Sequence, residues 1–314
     1  MQNKKTIMAI ASLMVLLFHL WINLTNSHIE MFLKHICVIG VDLFFFVSAY
    51  AIAKGKTIGY RDFVTNRFNK VYLKFIAFAI IGALYFNWSI TKFIKVILGV
   101  ELFTRGGGSF LWFIPGIMLV YLLLPLYKSV DNRYPKIMPF IAIMVYLIGS
   151  IVISSYTNYD AIFILTNRIP IILMGYYSAK YDVISYLKKS NLRYYTIAIL
   201  LTIFGLIISY NTYIRHFNIL WFKEIFYILY IPLIIGLILL LDKIKVNKVI
   251  NIVGSITLEL YALQMLFGFR IANQIFKLID IKFISNILTM IILILMALVI
   301  NKIFNIPQKL KGED

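Results

Sequence analysis

The sequence predicts an all-α fold, a polytopic membrane bundle of about ten transmembrane helices with both termini cytoplasmic. Three observations predict it. Of the 314 residues, 61% are hydrophobic and only 14% charged; mean hydropathy is +0.88; and apolar runs long enough to cross a bilayer recur along the whole chain. Spans are read at 6–25, 36–53, 71–87, 109–127, 137–156, 160–179, 193–210, 219–241, 248–268 and 283–304, forming one transmembrane domain over residues 1–314.

The elements follow in order. Lys4 and Lys5 precede the apolar segment Ile7 to Trp21, and no small-residue cleavage site follows before Asn26, so this segment reads as a span and not a removed signal. The second span carries Cys37, the only cysteine, which excludes an intrachain disulfide and a cysteine-based metal site. Between the third and fourth spans, Ile90 to Val100 with Lys92 and Lys95 is too short to cross and reads as an interfacial helix. Late segments such as Ile284 to Ile300 are apolar on all faces, which excludes the alternation of a barrel strand.

The formal charge of +18 resembles a nucleic-acid signal until the basic residues are placed. Lys4, Lys5, the cluster Lys54, Lys56, Arg61, Arg67, Lys70 and Lys74, and then Lys128, Arg133, Lys136, Lys180, Lys188, Lys189, Arg193, Lys243, Lys245 and Lys248 fall on alternate connections. That side is the cytoplasmic one by the lysine and arginine bias, although Lys92, Lys95 and Arg105 lie opposite. No nucleic-acid partner is expected. Four histidines lack zinc spacing, so no metal is expected, and no P-loop, GxGxxG, GxSxG or internal repeat is present.

Ionisable residues inside spans are costly unless used. His19 lies some 13 residues above the cytoplasmic start of its helix, roughly 20 Å. Asp42 starts near the outer end of the second span, Arg168 descends from outside, Glu259 rises from inside, and helix rise brings them toward related depths. They are read as one converging polar cluster in which each lowers the cost of burying the others. Simple helix-locking ion pairs between Arg168 and Glu259 or Asp42 are the plainer reading, and solvation near the interface is open for Asp42. His28, His35 and His216 carry no assigned role.

An ordered set of local patterns resembles the acyltransferase-3 family of membrane O-acyltransferases. It comprises the helix ending Val15-Leu16-Leu17-Phe18-His19; Gly40 to Tyr50, with Ala49 where glycine is usual; and the basic stretch Phe63 to Val71, with Leu73 replacing a proline. Leu111-Trp112-Phe113-Ile114, Tyr121 to Leu126, Arg168-Ile169-Pro170 with Gly175, and Gly254 to Gln264 complete it. Met8 stands where a basic residue is usual, and Gln264 where many members have a second histidine.

The resemblance implies transfer of an acetyl group from cytoplasmic acetyl-CoA to a hydroxyl of a cell-surface or lipid-linked glycan, by a multi-pass protein of the cell membrane. His19 would be the general base, Asp42 or Glu259 its orienting carboxylate, and Arg168 the oxyanion stabiliser. Arg67, Lys70 and Lys74 would hold the CoA phosphates, and Trp112 and Gln264 the substrate. Ser48 is open as an acyl relay, with helix packing the plainer reading. Two other readings remain: a non-catalytic member, consistent with Met8 and Gln264, and a glycan or lipid-precursor transporter using the charged cluster, for which no pair of broken helices is visible.

Overall fold

A computed structural model describes residues 1, 3–19, 28–55, 59–155, 164–214, 228–244 and 247–310. The described residues are helical, with no strand among them. The chain forms two compact units, one of residue 1 with residues 42–241, the other of residues 2–41 and 242–314.

Helices α1 (Lys4–Phe18) and α2 (His28–Cys37) belong to the second unit, and in the first α3 (Gly40–Lys54), from Asp42 onward, supplies the core. Leu43, Phe45, Phe46, Val47, Ala49, Tyr50 and Ile52 are all buried. A helix this apolar on several faces needs neighbours all round. Next comes one long helix, Tyr60–Tyr85. It is built from α4 (Tyr60–Arg67), a π-helical turn at Phe68–Tyr72, and α5 (Leu73–Tyr85). The sequence places its start at 71. The preceding turns are polar, so the helix continues beyond its apolar part, a common extension for a basic helix end.

The short α6 (Ile90–Ile97) follows, N-capped by Ser89, whose hydroxyl accepts from the Lys92 amide at 3.3 Å. It is a separate short helix where the sequence expects one. Then come α7 (Val100–Arg105), α8 (Phe113–Arg133), α9 (Met138–Ser155), α10 (Ile169–Lys180), α11 (Val183–Leu187), α12 (Asn191–Ile214) and α13 (Ile231–Lys243). Pro125 lies inside α8 and cannot donate to the Tyr121 carbonyl, which opens the ladder there.

In the second unit, α1 (Lys4–Phe18) packs against α2 (His28–Cys37), α14 (Lys248–Ser255) and α15 (Thr257–Leu263). The α1 N-terminus is pinned by Asp242, whose carboxylate accepts the Asn3 amide at 2.9 Å, a favourable placement for a negative charge. A Cβ on Gly254 would meet the Lys5 carbonyl oxygen at 2.5 Å, so the close approach of α14 to α1 requires glycine. After α15 come a π-helical turn at Gln264–Gly268, α16 (Phe269–Ile279) and α17 (Lys282–Leu310).

Four described helices are long and apolar enough to cross a membrane: Tyr60–Tyr85, Phe113–Arg133, Asn191–Tyr210 and Lys282–Asn305. A fifth candidate is Lys248–Ser255 with Thr257–Ile279, bent by 64°. Two expected spans are therefore interrupted. The one read at 248–268 breaks at Ser255, whose hydroxyl bonds back to the Ile252 carbonyl at 2.7 Å, and runs on to Ile279. The one read at 36–53 is divided by a turn at residues 38–39. The expected segments at 20–25, 156, 160–163 and 219–227 lie outside the described residues. Exposed apolar side chains such as Leu200 (60% exposed) and Val299 (59%), on helices long and apolar enough to cross a membrane, leave apolar surface suited to lipid.

Candidate active site

In the first unit, Asp42 and Arg168 form a buried ion pair. Arg168 Nε lies 3.1 Å from Asp42 Oδ1, and Asp42 is 0% exposed, so the carboxylate is not solvated as its position near a helix end allowed. Asp42 occupies the first turn of α3, where the helix dipole favours an anion. Arg168 is the N-cap of α10, where the same dipole disfavours a cation. Its carboxylate partner opposes that penalty, and Pro170 lies in the first turn of the helix, where no amide donor is needed. A Cβ on Gly175 would meet the Phe46 carbonyl oxygen at 2.5 Å, so α10 and α3 touch backbone to side chain-free backbone just beyond the pair.

The second unit holds His19, Glu259 and Gln264. His19 caps the C-terminus of α1, its amide donating to the Val15 carbonyl at 3.2 Å. Its imidazole is half-buried and meets the Phe18 ring edge to face at 4.8 Å. Glu259 is buried in the first turn of α15 and accepts from Asn301 Nδ2 at 3.0 Å, while Asn305 donates to Asn301 Oδ1 at 3.0 Å. Gln264 opens the π-helical turn and is 3% exposed; its Oε1 has no hydrogen-bond partner among the described residues. An acceptor left open in that way is costly unless something donates to it, and π-turns recur at functional positions.

A cavity of about 750 Å³ opens in the first unit where α3, α4 and α8 end or begin. Tyr60, Phe63, Asn66, Arg67, Ser129 and Asn132 give it an aromatic and hydrogen-bonding lining. The Lys128 ammonium donates to the carbonyls of Ile52 (3.1 Å), Ala53 (3.0 Å) and Gly55 (3.1 Å). All three of its protons thereby cap the C-terminus of α3. Of the two cationic side chains that line the cavity among the described residues, Arg67 is the one left to meet an anion. Its guanidinium carbon lies 5.2 Å from the Phe63 ring centroid and 5.1 Å from that of Tyr121. Lys70 is exposed and Lys74 half-buried, and neither lines the cavity. Trp112 caps the start of α8, half-buried, with its ring 6.3 Å from that of Phe113. Ser48 shares a 3.4 Å hydrogen bond with the Tyr121 hydroxyl, consistent with a packing role.

In a comparison with known families, the family model described as an acyltransferase domain matches residues 7–304, nearly the whole chain. The chain belongs to the acyltransferase-3 family. No curated protein matches this acyltransferase, and no solved structure does.

The structure of this acyltransferase also contains polar groups that sequence reasoning passed over. Asp131 on α8 is buried and accepts from Tyr176 Oη (2.7 Å), Tyr177 Oη (3.2 Å) and the Lys180 ammonium on α10. The Tyr127 and Tyr177 hydroxyls share a further bond of 2.6 Å. In sequence Asp131 lies past the end of the span read at 109–127, and Tyr176 and Tyr177 lie within the one read at 160–179. The signal was the Tyr176-Tyr177…Lys180 spacing, which puts a phenol and an ammonium one turn apart on α10. Asn301 was passed over because it follows a long apolar run.

Proposed function

We propose that this acyltransferase moves an acetyl group from cytoplasmic acetyl-CoA to a hydroxyl of a cell-surface or lipid-linked glycan, as a multi-pass protein of the cell membrane. The observation that carries the reading is the family match, which runs through all the helices that bear His19, Asp42, Arg168 and Glu259. The reading includes about ten spans and cytoplasmic termini, supported by the distribution of lysine and arginine.

His19 takes the proton of the acceptor hydroxyl as its oxygen attacks the thioester carbonyl. The tetrahedral oxyanion collapses, the C–S bond breaks, and the proton ends on the CoA sulfur. Arg168 donates to the oxyanion from its guanidinium while Asp42 holds it in place. Asp42 is engaged with Arg168, whereas Glu259 lies in the same unit as His19 and on a helix packed against α1. Glu259 is therefore the better orienting carboxylate for the imidazole. Gln264, whose buried Oε1 has no hydrogen-bond partner among the described residues, accepts from the acceptor sugar, and Trp112 is the second substrate-binding residue of this reading.

Arg67 and the cavity beside it receive the phosphates of the donor. Lys70 and Lys74, outside the cavity, add attraction at its approach. One observation favours a second reading as a glycan-precursor transporter: the 64° break beside Glu259 resembles the broken helices of transporters. Incubating the purified protein in nanodiscs with isotopically labelled acetyl-CoA and a pool of surface glycans separates the two. Alkali-labile acetyl ester on the glycan is the expected result. Glycan movement across sealed vesicles without ester formation would favour transport.

A further inference from the structure

The motif residue Tyr121 has no role in the chemistry above, yet it touches two groups that matter to it. Its ring lies under the Arg67 guanidinium, and it meets the Phe63 ring edge to face at 6.3 Å and an interplanar angle of 82°. Arg67 therefore sits in a corner made by two nearly perpendicular aromatic rings. Phe63 is four residues earlier on the same helix, so half of the corner is local; Tyr121 comes from α8 and closes it. No hydrogen bond or ion pair engages the Arg67 guanidinium among the described residues, and the residue lines the 750 Å³ cavity. Aromatic faces hold a guanidinium through its π-surface and leave its N–H edge available for in-plane bonds to phosphate oxygens.

The surroundings hold this corner still. The π-helical turn Phe68–Tyr72 begins directly after Arg67, and the Tyr72 hydroxyl donates to the Ile97 carbonyl, anchoring that turn. Pro125 withholds the donor that would bind the Tyr121 carbonyl, and the Tyr60 hydroxyl donates to the Leu122 carbonyl at 3.2 Å, tying the opened turn of α8 to α4. The Tyr121 hydroxyl reaches Ser48 on α3.

We propose that Tyr121 is a positioning residue for the phosphate end of the acyl donor: with Phe63 it fixes Arg67 edge-on to the cavity. The proposal rests on the donor reading given above. It assigns the effect to the ring and not to the hydroxyl.

The test is calorimetric binding of coenzyme A to the full-length protein in nanodiscs. The variants are Arg67→Ala, Tyr121→Leu, Tyr121→Phe, Phe63→Leu and the Arg67→Ala/Tyr121→Leu double variant. Arg67→Ala is expected to weaken binding about tenfold and Tyr121→Leu about fivefold, with the double variant no weaker than Arg67→Ala alone. Tyr121→Phe recovers most of the affinity. Phe63→Leu, on an exposed helix turn, repeats the Tyr121→Leu loss should the latter not fold. Full affinity in Tyr121→Leu beside a weakened Arg67→Ala, or multiplicative losses in the double variant, would overturn the proposal alone. Equal binding by wild type and Arg67→Ala would instead overturn the donor reading at this cavity, and the proposal with it.

Discussion

At the scale of single residues, two buried carboxylates organise the first unit, and each is worth more as a partner than as a charge. Removing one member of the Asp42–Arg168 pair takes the opposite charge away from the other in a dry site. Arg168→Leu is therefore expected to cost about 3–5 kcal/mol of stability, and Asp42→Leu with Arg168→Leu markedly less than either alone. Thermal unfolding in one detergent checks this. The exposed pair between Lys54 and Asp182 behaves oppositely. The hydrogen bond from Lys54 holds the Asp182 carboxyl below its usual range and raises the lysine. Its stabilisation is present above the ordinary carboxylate pKa and lost as pH falls through the lowered one; at the basic end it is lost above the raised lysine pKa. Asp182→Asn is expected to lower the unfolding temperature at neutral pH only slightly, far less than Arg168→Leu does, as measured by the same assay. Asp42 and Arg168 were legible in sequence because charges inside spans are costly and helix rise compares their depths. Asp131 was not, since an acid at a span end has water as its cheaper alternative, and only the fold removes that water.

At the scale of elements, apolar length marked the long helices but not their ends or interruptions. The polar turns of α4 extend its helix beyond the bilayer-length run, and nothing in hydropathy sees a π-turn such as Phe68–Tyr72. The break at Ser255 was invisible for the same reason, because a hydroxyl bonding its own backbone changes direction without changing apolarity. Close packing is a better-defined consequence. Gly175→Ala places a Cβ 2.5 Å from the Phe46 carbonyl oxygen and is expected to destabilise by about 1–3 kcal/mol while pushing α10 from α3. A loss below that range, seen in denaturation of the purified variant, would mean that the crossing relaxes freely. The cavity beside Arg67 was legible only as a basic stretch. That Lys128 spends its charge capping α3 while Arg67 faces the cavity is a tertiary fact.

At the scale of the whole molecule, membrane residence was legible from composition, since 61% apolar residues leave surfaces that water cannot cover. The family was legible from the order of weak motifs, each uninformative alone, and the match over residues 7–304 assigns it. The central claim is that this membrane acyltransferase transfers acetyl through His19. The most direct measurement is thiol release from acetyl-CoA by purified protein in nanodiscs with a mixed glycan acceptor pool, wild type beside His19→Ala. The expected result is turnover in the wild type and a loss of at least about a hundredfold in a variant of unchanged unfolding temperature. Equal thiol release by both proteins, or none by a folded wild type with any acceptor, would contradict it.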